Sequence, residues 1–184
     1  MEREVPYSLP EHRHRFAVWA AARAAQRGFT TVDELLGALE VTDLRPATSD
    51  PEALELRSAD FETMHRRWCA SICATLAGQG IPGASYGRAA KLVAVYLKAT
   101  VLMGEGAASP LARYMHPPID RTLLQNLASA PRIESPHKAG WRATSWTRLS
   151  EPSYYELVEQ LRAVLPAGMP FWMLEEYWSP TEEE

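Results

Sequence analysis

The residues of this chain best suited to chemistry are two lysines and one aspartate. Lys91 and Lys98 are the only charges between Ala89 and Gly104, in a stretch that is otherwise almost wholly apolar. Lysine is rarely buried without a partner, and burial lowers the pKa of its amine. A neutral amine at physiological pH is what Schiff-base or nucleophilic chemistry requires. The competing role is structural, with the aliphatic stem on the core and the ammonium in water. Lys98 is read that way, while Lys91, one turn into its helix behind a Gly-rich turn, fits either role. Asp120 follows His116-Pro117-Pro118-Ile119 and opens another helix. An aspartate there is a good N-cap favoured by the helix dipole, and the same stabilisation suits a carboxylate that must stay ionised beside a developing cation.

Other constellations carry less. His65, Cys69 and Cys73 fall at successive helical turns, but no fourth ligand accompanies them, so they are read as packing residues and no metal or cofactor is expected. The four-residue spacing of the two cysteines also argues against a disulfide framework. His116 stands four residues before Asp120, where it could orient it or contact a ligand. No nucleophile-elbow motif supports a Ser-His-Asp triad.

The elements that must position these residues read as helices throughout. A helix is expected over 12–27, with Gly28 as its left-handed cap, and Thr31-Val32-Asp33-Glu34 is a capping box for a short helix to about Glu40. Asp50-Pro51 marks a further helix start. Asp60 is placed to cap a longer helix in which Phe61, Met64, Trp68, Ile72 and Leu76 recur at three- and four-residue steps. The glycines of 78–83 force a turn before a buried central helix over roughly 85–103. Pro117-Pro118 precedes a helix over about 120–128, residues 130–145 read as irregular, and Ser153-x-x-Glu156 is a capping box for a helix to about Val164. A short aromatic helix is expected over 171–178, followed by an acidic end, 181–184, that should fray. Period-two alternation is nowhere sustained, so no strand is expected.

With 184 residues, 46% apolar and 23% charged, the chain fits one compact all-α domain over 1–184 and is too apolar for a disordered protein. No window reaches the ~18 apolar residues of a membrane span, and the start lacks the apolar stretch of a signal peptide. A reducing, cytoplasmic and nucleoid-associated monomer is the expectation. The net charge of −4 argues against a nucleic-acid partner, but it is unevenly distributed. Residues 1–84 carry nine basic against twelve acidic side chains, and residues 149–184 one against eight. Between them, 85–148 carry nine basic side chains against Glu105, Asp120 and Glu134, a local net of +6 that could bind an anion.

The stretch 82–98, Pro-Gly-Ala-Ser-Tyr-Gly-Arg-Ala-Ala-Lys-Leu-Val-Ala-Val-Tyr-Leu-Lys, is followed 29 residues after Lys91 by Asp120 in Pro117-Pro118-Ile119-Asp120-Arg121. Together these resemble the helix-hairpin-helix DNA glycosylase superfamily, and most of all its 8-oxoguanine branch, including archaeal members. The resemblance spans about residues 81–128. It implies a hairpin leading into the helix of a catalytic lysine, matched by Lys91, and a Pro-x-Asp element supplying a catalytic aspartate, matched by Asp120, with a cleft between helical lobes. The Gly83-Ala84-Ser85-Tyr86-Gly87 turn is looser than the family's tight Gly-x-Gly hairpin, and the chain length predicts that the N-terminal β-lobe of some relatives is absent.

A glycosylase must flip its target base into a pocket with stacking surfaces. The aromatic segment 141–178 offers Trp141, Trp146, Phe171, Trp172 and Trp178, with His116 as a further base contact. Gly83 and Gly87 before a helix could hold a phosphate on backbone N–H groups, and Arg88, Arg121, Lys138 and Arg142 are candidate phosphate contacts. The expected partner is double-stranded DNA containing a modified base, either an 8-oxoguanine-like purine or a hypermodified phage base. Strand cleavage at the resulting abasic site would follow if Lys91 forms a Schiff base. The alternative is a non-catalytic helical DNA-binding or adaptor protein, with Lys91 at the surface on a phosphate and Asp120 only a cap.

Overall fold

The computed structural model describes residues 7–50 and 57–179, and every regular element among them is helical. Helix α1 (Leu9–Gln26) is capped by Ser8, whose hydroxyl accepts the Glu11 N–H, and it carries Pro10 in its first turn. Its alanines Ala17, Ala21, Ala22 and Ala25 are fully buried, and this small-residue face lets α1 lie along α5 (Tyr86–Leu97). The left-handed cap of α1 begins at Arg27 (φ 37°) and continues at Gly28 (φ 70°), one residue earlier than the glycine alone implies.

Helix α2 (Val32–Glu40) opens with the expected capping box, Thr31 and Glu34 each accepting the other's backbone N–H. The short α3 (Leu44–Ser49) follows, and the Asp50-Pro51 helix start falls at the edge of residues 51–56, outside those described. Helix α4 (Ser58–Gly78) starts two residues before Asp60, which sits in its first turn and accepts the Arg57 N–H instead of serving as the cap. Its apolar stripe of Phe61, Trp68, Ile72 and Leu76 packs on α5.

Helix α5 is buried on nearly every side, as its continuous apolar sequence implies. The expected single helix over 85–103 is divided, however, because the last turn widens into a π-helical segment, Lys98–Leu102. Such segments are frequent at functional sites. Helix α6 (Pro110–Tyr114) and α7 (Arg121–Ser129) flank the extended, proline-bearing 115–120.

The expected irregular region contains α8 (Lys138–Ala143), which starts just after Pro136 and is anchored by fully buried Trp141. Helix α9 (Glu151–Arg162) begins earlier than expected: Ser150 is its N-cap and Ser153 the return partner of the box. Two 3-10 segments, Trp146–Arg148 and Phe171–Tyr177, complete the described chain, and the acidic residues 181–184 lie outside it. No described helix is long and apolar enough to cross a membrane.

Candidate active site

The Asp120 side chain is fixed by its role as the α7 N-cap. Its backbone is extended (φ −141°, ψ −178°), and Oδ1 accepts the Leu123 N–H at 3.0 Å. Oδ2 then faces α5, where Lys91 Nζ donates to it at 2.9 Å. The two side chains are 29 residues apart in sequence, and only 5% of Lys91 and 4% of Asp120 is exposed. Trp178 Nε1 donates to the same oxygen at 3.2 Å, and the Lys91 ammonium lies 4.6 Å from the centre of the Trp146 ring. The pair is therefore enclosed by two of the tryptophans expected near it. Lys91 is not at the surface, as the adaptor reading requires.

The electrostatics of the pair are asymmetric. Burial pushes the Asp120 carboxyl up, but the Lys91 charge, the Leu123 N–H and the Trp178 N–H outweigh it and hold the group below the usual carboxylate range. Burial draws the Lys91 amine down; Asp120 opposes this only in part, the Arg27 charge adds to it, and the net direction is downward. The result is a firmly ionised carboxylate beside an amine that gives up its proton more readily than a surface lysine.

Trp146 reaches Lys91 because a glycine lets its backbone approach α5. A Cβ on Gly87 would overlap the Trp146 carbonyl oxygen. The Gly87 N–H instead donates to Leu149 O at 3.1 Å, while Ser85 Oγ donates to Thr147 O at 2.8 Å. The expected phosphate cradle is thus corrected at Gly87, whose N–H is already bonded. Gly83 lies in a left-handed turn (φ 83°) ahead of α5.

Asp120 also borders a groove of about 270 Å³ between α1, the end of α5 and the last 3-10 segment. Its walls are apolar and small on the α1 side, where Ala20 and Ala24 line it, and Val95 and Ala99 face them. Phe16, Met103 and Trp178 border it with exposed surface. Its other polar groups are Lys98 and Glu175, which are ion-paired to each other. Lys98 is thus partly exposed, as its snorkelling role implies, but paired at the groove. Phe16, Ala20, Ala24 and Glu175 were not anticipated. The sequence signal for the first three is the 16-20-24 spacing, a second face of α1 beside the buried Ala17-Ala21-Ala25 stripe, and Glu175 has none.

The remaining expected pocket residues lie elsewhere. Trp141 is 1% exposed and donates to Gln160, so it is a core residue. His116 does not touch Asp120: it is buried, bonded to Tyr154 Oη and Arg162, and packed edge-on or tilted among His65, Phe61 and Phe171. Phe171 borders a separate depression with Arg113 and Arg162. Trp172 is half-buried and does not line the groove, and its indole N–H is buried without a partner.

Most of the expected phosphate contacts are satisfied internally. Arg88 donates to Ala25 O and Gln26 O and stacks on Phe29, closing the C-terminus of α1. Lys138 donates to Ala130 O and Arg142 to Ala128 O, closing α7. Cations there satisfy the end carbonyls and the negative pole of each helix, which explains part of the basic excess of the middle region without DNA. Arg121 remains exposed at the start of α7. Among the described residues no group of His, Cys, Asp and Glu could hold a metal, and both cysteines are free thiols. Compared with models of protein families, with curated proteins and with solved structures, the chain matches none.

Proposed function

We propose that this chain is a DNA glycosylase of the helix-hairpin-helix type, in which α4, the turn over 79–85 and α5 form the hairpin. The supporting observation is the convergence of Lys91 and Asp120, from two different helices, into one buried pair at the edge of an apolar groove. Buried ion pairs are poor stabilisers, and well-packed apolar residues often serve equally well. A pair retained beside a groove is better explained by chemistry than by folding. The groove volume is close to the lower end of the ~300–1,000 Å³ of ligand pockets, a size for one ring system.

In this reading the flipped base enters the groove and the deoxyribose lies at Asp120. As the bond from C1′ to the base breaks, its electron pair leaves with the base, and the Asp120 carboxylate stabilises the positive charge on the sugar. Lys91 transfers its proton to the departing base and, as a free amine, bonds to C1′; ring opening of that adduct gives a Schiff base. Trp146 and Trp178 must swing aside to admit the sugar, because they enclose the amine in the described state. The base class, an 8-oxoguanine-like purine or a hypermodified cytosine, is decided by assay.

The test is a panel of duplexes, each with one modified base, scored for abasic sites with and without borohydride. Excision of at least one base, a trapped adduct, and a loss of roughly 10²- to 10⁴-fold in Asp120→Asn and Lys91→Gln are expected. Full activity in either folded variant overturns the assignment. Abasic sites without a trapped adduct would make water the nucleophile and Lys91 a positioning group.

A further inference from the structure

The groove has a second polar end that bond breaking at Asp120 does not use. Apart from Asp120 and the Trp178 indole bonded to it, the polar side chains lining it are Lys98 and Glu175. Lys98 stands at the end of α5, two helical turns beyond Lys91, and opens the π-helical segment, its carbonyl accepting the Met103 N–H at 3.0 Å. Glu175 reaches it from the last 3-10 segment. The Trp178 indole spans the interval between the two ends, with its N–H on Asp120 Oδ2 and its ring centre 5.8 Å from Lys98 Nζ. The polar ends of the groove are thus about one ring system apart, and a base whose sugar lies at Asp120 has its far edge toward Lys98 and Glu175.

The two groups are bonded to each other without being used up. Lys98 Nζ donates to Glu175 Oε2, which leaves two ammonium N–H groups, and Oε1 accepts no hydrogen bond among the described residues. The carboxylate is the more enclosed partner, with 14% of its side chain exposed against 36% for the lysine. In an apolar groove such groups fix the orientation and identity of a ligand. Side by side they present one donor and two acceptor oxygens, since a carboxylate oxygen that already accepts one bond has a lone pair left. The Watson–Crick edge of guanine is the complement: the O6 carbonyl beside two adjacent donors, N1–H and the exocyclic amine. The same edge of cytosine, uracil or adenine offers one donor and leaves a carboxylate oxygen without a partner, which is costly where water is excluded.

We propose that Lys98 and Glu175 are the specificity-determining residues of the groove and select a guanine-derived base, with the Lys98 ammonium on O6 and the Glu175 carboxylate on N1–H and the exocyclic amine. The inference rests on the glycosylase reading, because it takes the sugar to lie at Asp120. It is tested by single-turnover excision from two duplexes, one with 8-oxoguanine and one with 8-oxohypoxanthine, which lacks only the exocyclic amine. The wild-type chain should excise 8-oxoguanine roughly 10- to 100-fold faster, the effect of one lost hydrogen bond at an enclosed polar group. Glu175→Gln should remove that preference by slowing 8-oxoguanine down to the rate of 8-oxohypoxanthine. Lys98→Met should slow both alike, because both carry O6. The comparison of the two bases on the wild-type chain needs no variant to fold. Equal wild-type rates on both bases, a Glu175→Gln chain that keeps the preference, or excision from the wider panel of modified bases that spares both of these overturns this inference and leaves the glycosylase reading intact. A wild-type chain that excises no base from that panel overturns both.

Discussion

Two of the buried polar regions among the described residues treat charge in opposite ways. One is the Lys91–Asp120 pair beside the groove, where an ionised carboxylate meets the lysine amine and Trp178 adds a donor. The other lies between α4, α9 and the 115–120 segment, where His65 and His116 have ring centres 4.5 Å apart among Tyr86, Tyr154 and Tyr155. His65 bonds Tyr155 Oη at 2.8 Å and His116 bonds Tyr154 Oη at 3.0 Å. Burial drives the His65 pKa down to about 3 and that of His116 well below its ordinary value, with neighbouring positive charge adding to both shifts. Those imidazoles are neutral and satisfied by hydroxyls, so they can be held in a core at little expense. A core that neutralises its polar groups in one place but keeps an ionised carboxylate against a lysine in another points to a use for the second.

The contrast breaks first at the charged pair. Lys91→Met alone leaves a buried carboxylate without its cation and should lower stability by roughly 3–5 kcal/mol, whereas Lys91→Met/Asp120→Leu should recover most of that loss. Chemical denaturation of the four corners of this cycle measures it. A double variant no more stable than the singles would make the pair structural.

Acid titration separates the two regions. The folded His65 and His116 pKa values lie below the unfolded ~6.5, so the unfolded chain takes up protons first as pH falls. Stability is complete above about pH 6.5 and declines below it by up to about 1.4 kcal/mol per pH unit for each histidine, with His65 contributing down to about pH 3. Asp120 has the usual carboxylate sign: its contribution is present above its ordinary pKa and is lost as pH falls through its depressed folded value. Urea midpoints between pH 7.5 and 4.5 should therefore slope in the wild type and in Asp120→Asn, and be flatter in His65→Gln. An equal slope in His65→Gln would contradict a neutral buried imidazole.

Smaller effects sharpen the geometry of the site. Gly87→Ala forces Trp146 away from α5 and should cost about 1–3 kcal/mol, with a red shift in tryptophan emission as Trp146 becomes wetter. Trp178→Phe keeps the ring but removes one of the donors to Asp120, for about 1 kcal/mol. Unchanged emission in the first variant, or unchanged stability in the second, would remove that residue from the enclosure of the pair.

Local patterns carried much of this architecture. The capping box at Thr31 and the Asp120 cap after two prolines act within a few residues and placed their elements, whereas the apolar run of α5 found its helix but not the π-helical segment that ends it at Leu97. Where elements were misplaced, the controlling interaction was itself tertiary or shared between neighbours. Helix α8 forms inside a proline- and glycine-rich stretch because Trp141 is anchored in the core, and α9 starts at Ser150 because Ser150 and Ser153 cap it jointly.

The sequence by itself determined that the chain is helical, that two lysines lie in an apolar helix and that an aspartate would cap another. Which side chain meets which lysine was decided only in three dimensions, by the packing that brings Lys91 and Asp120 within 2.9 Å of each other. The same packing placed His116 in a sealed aromatic cluster, turned Arg88, Lys138 and Arg142 onto helix carbonyls, and assembled the groove from Phe16, Ala20, Ala24 and Trp178. The physical reason is range: caps and periodicity act over about one helical turn, whereas the partner of a buried charge is chosen by whichever helix folds over it.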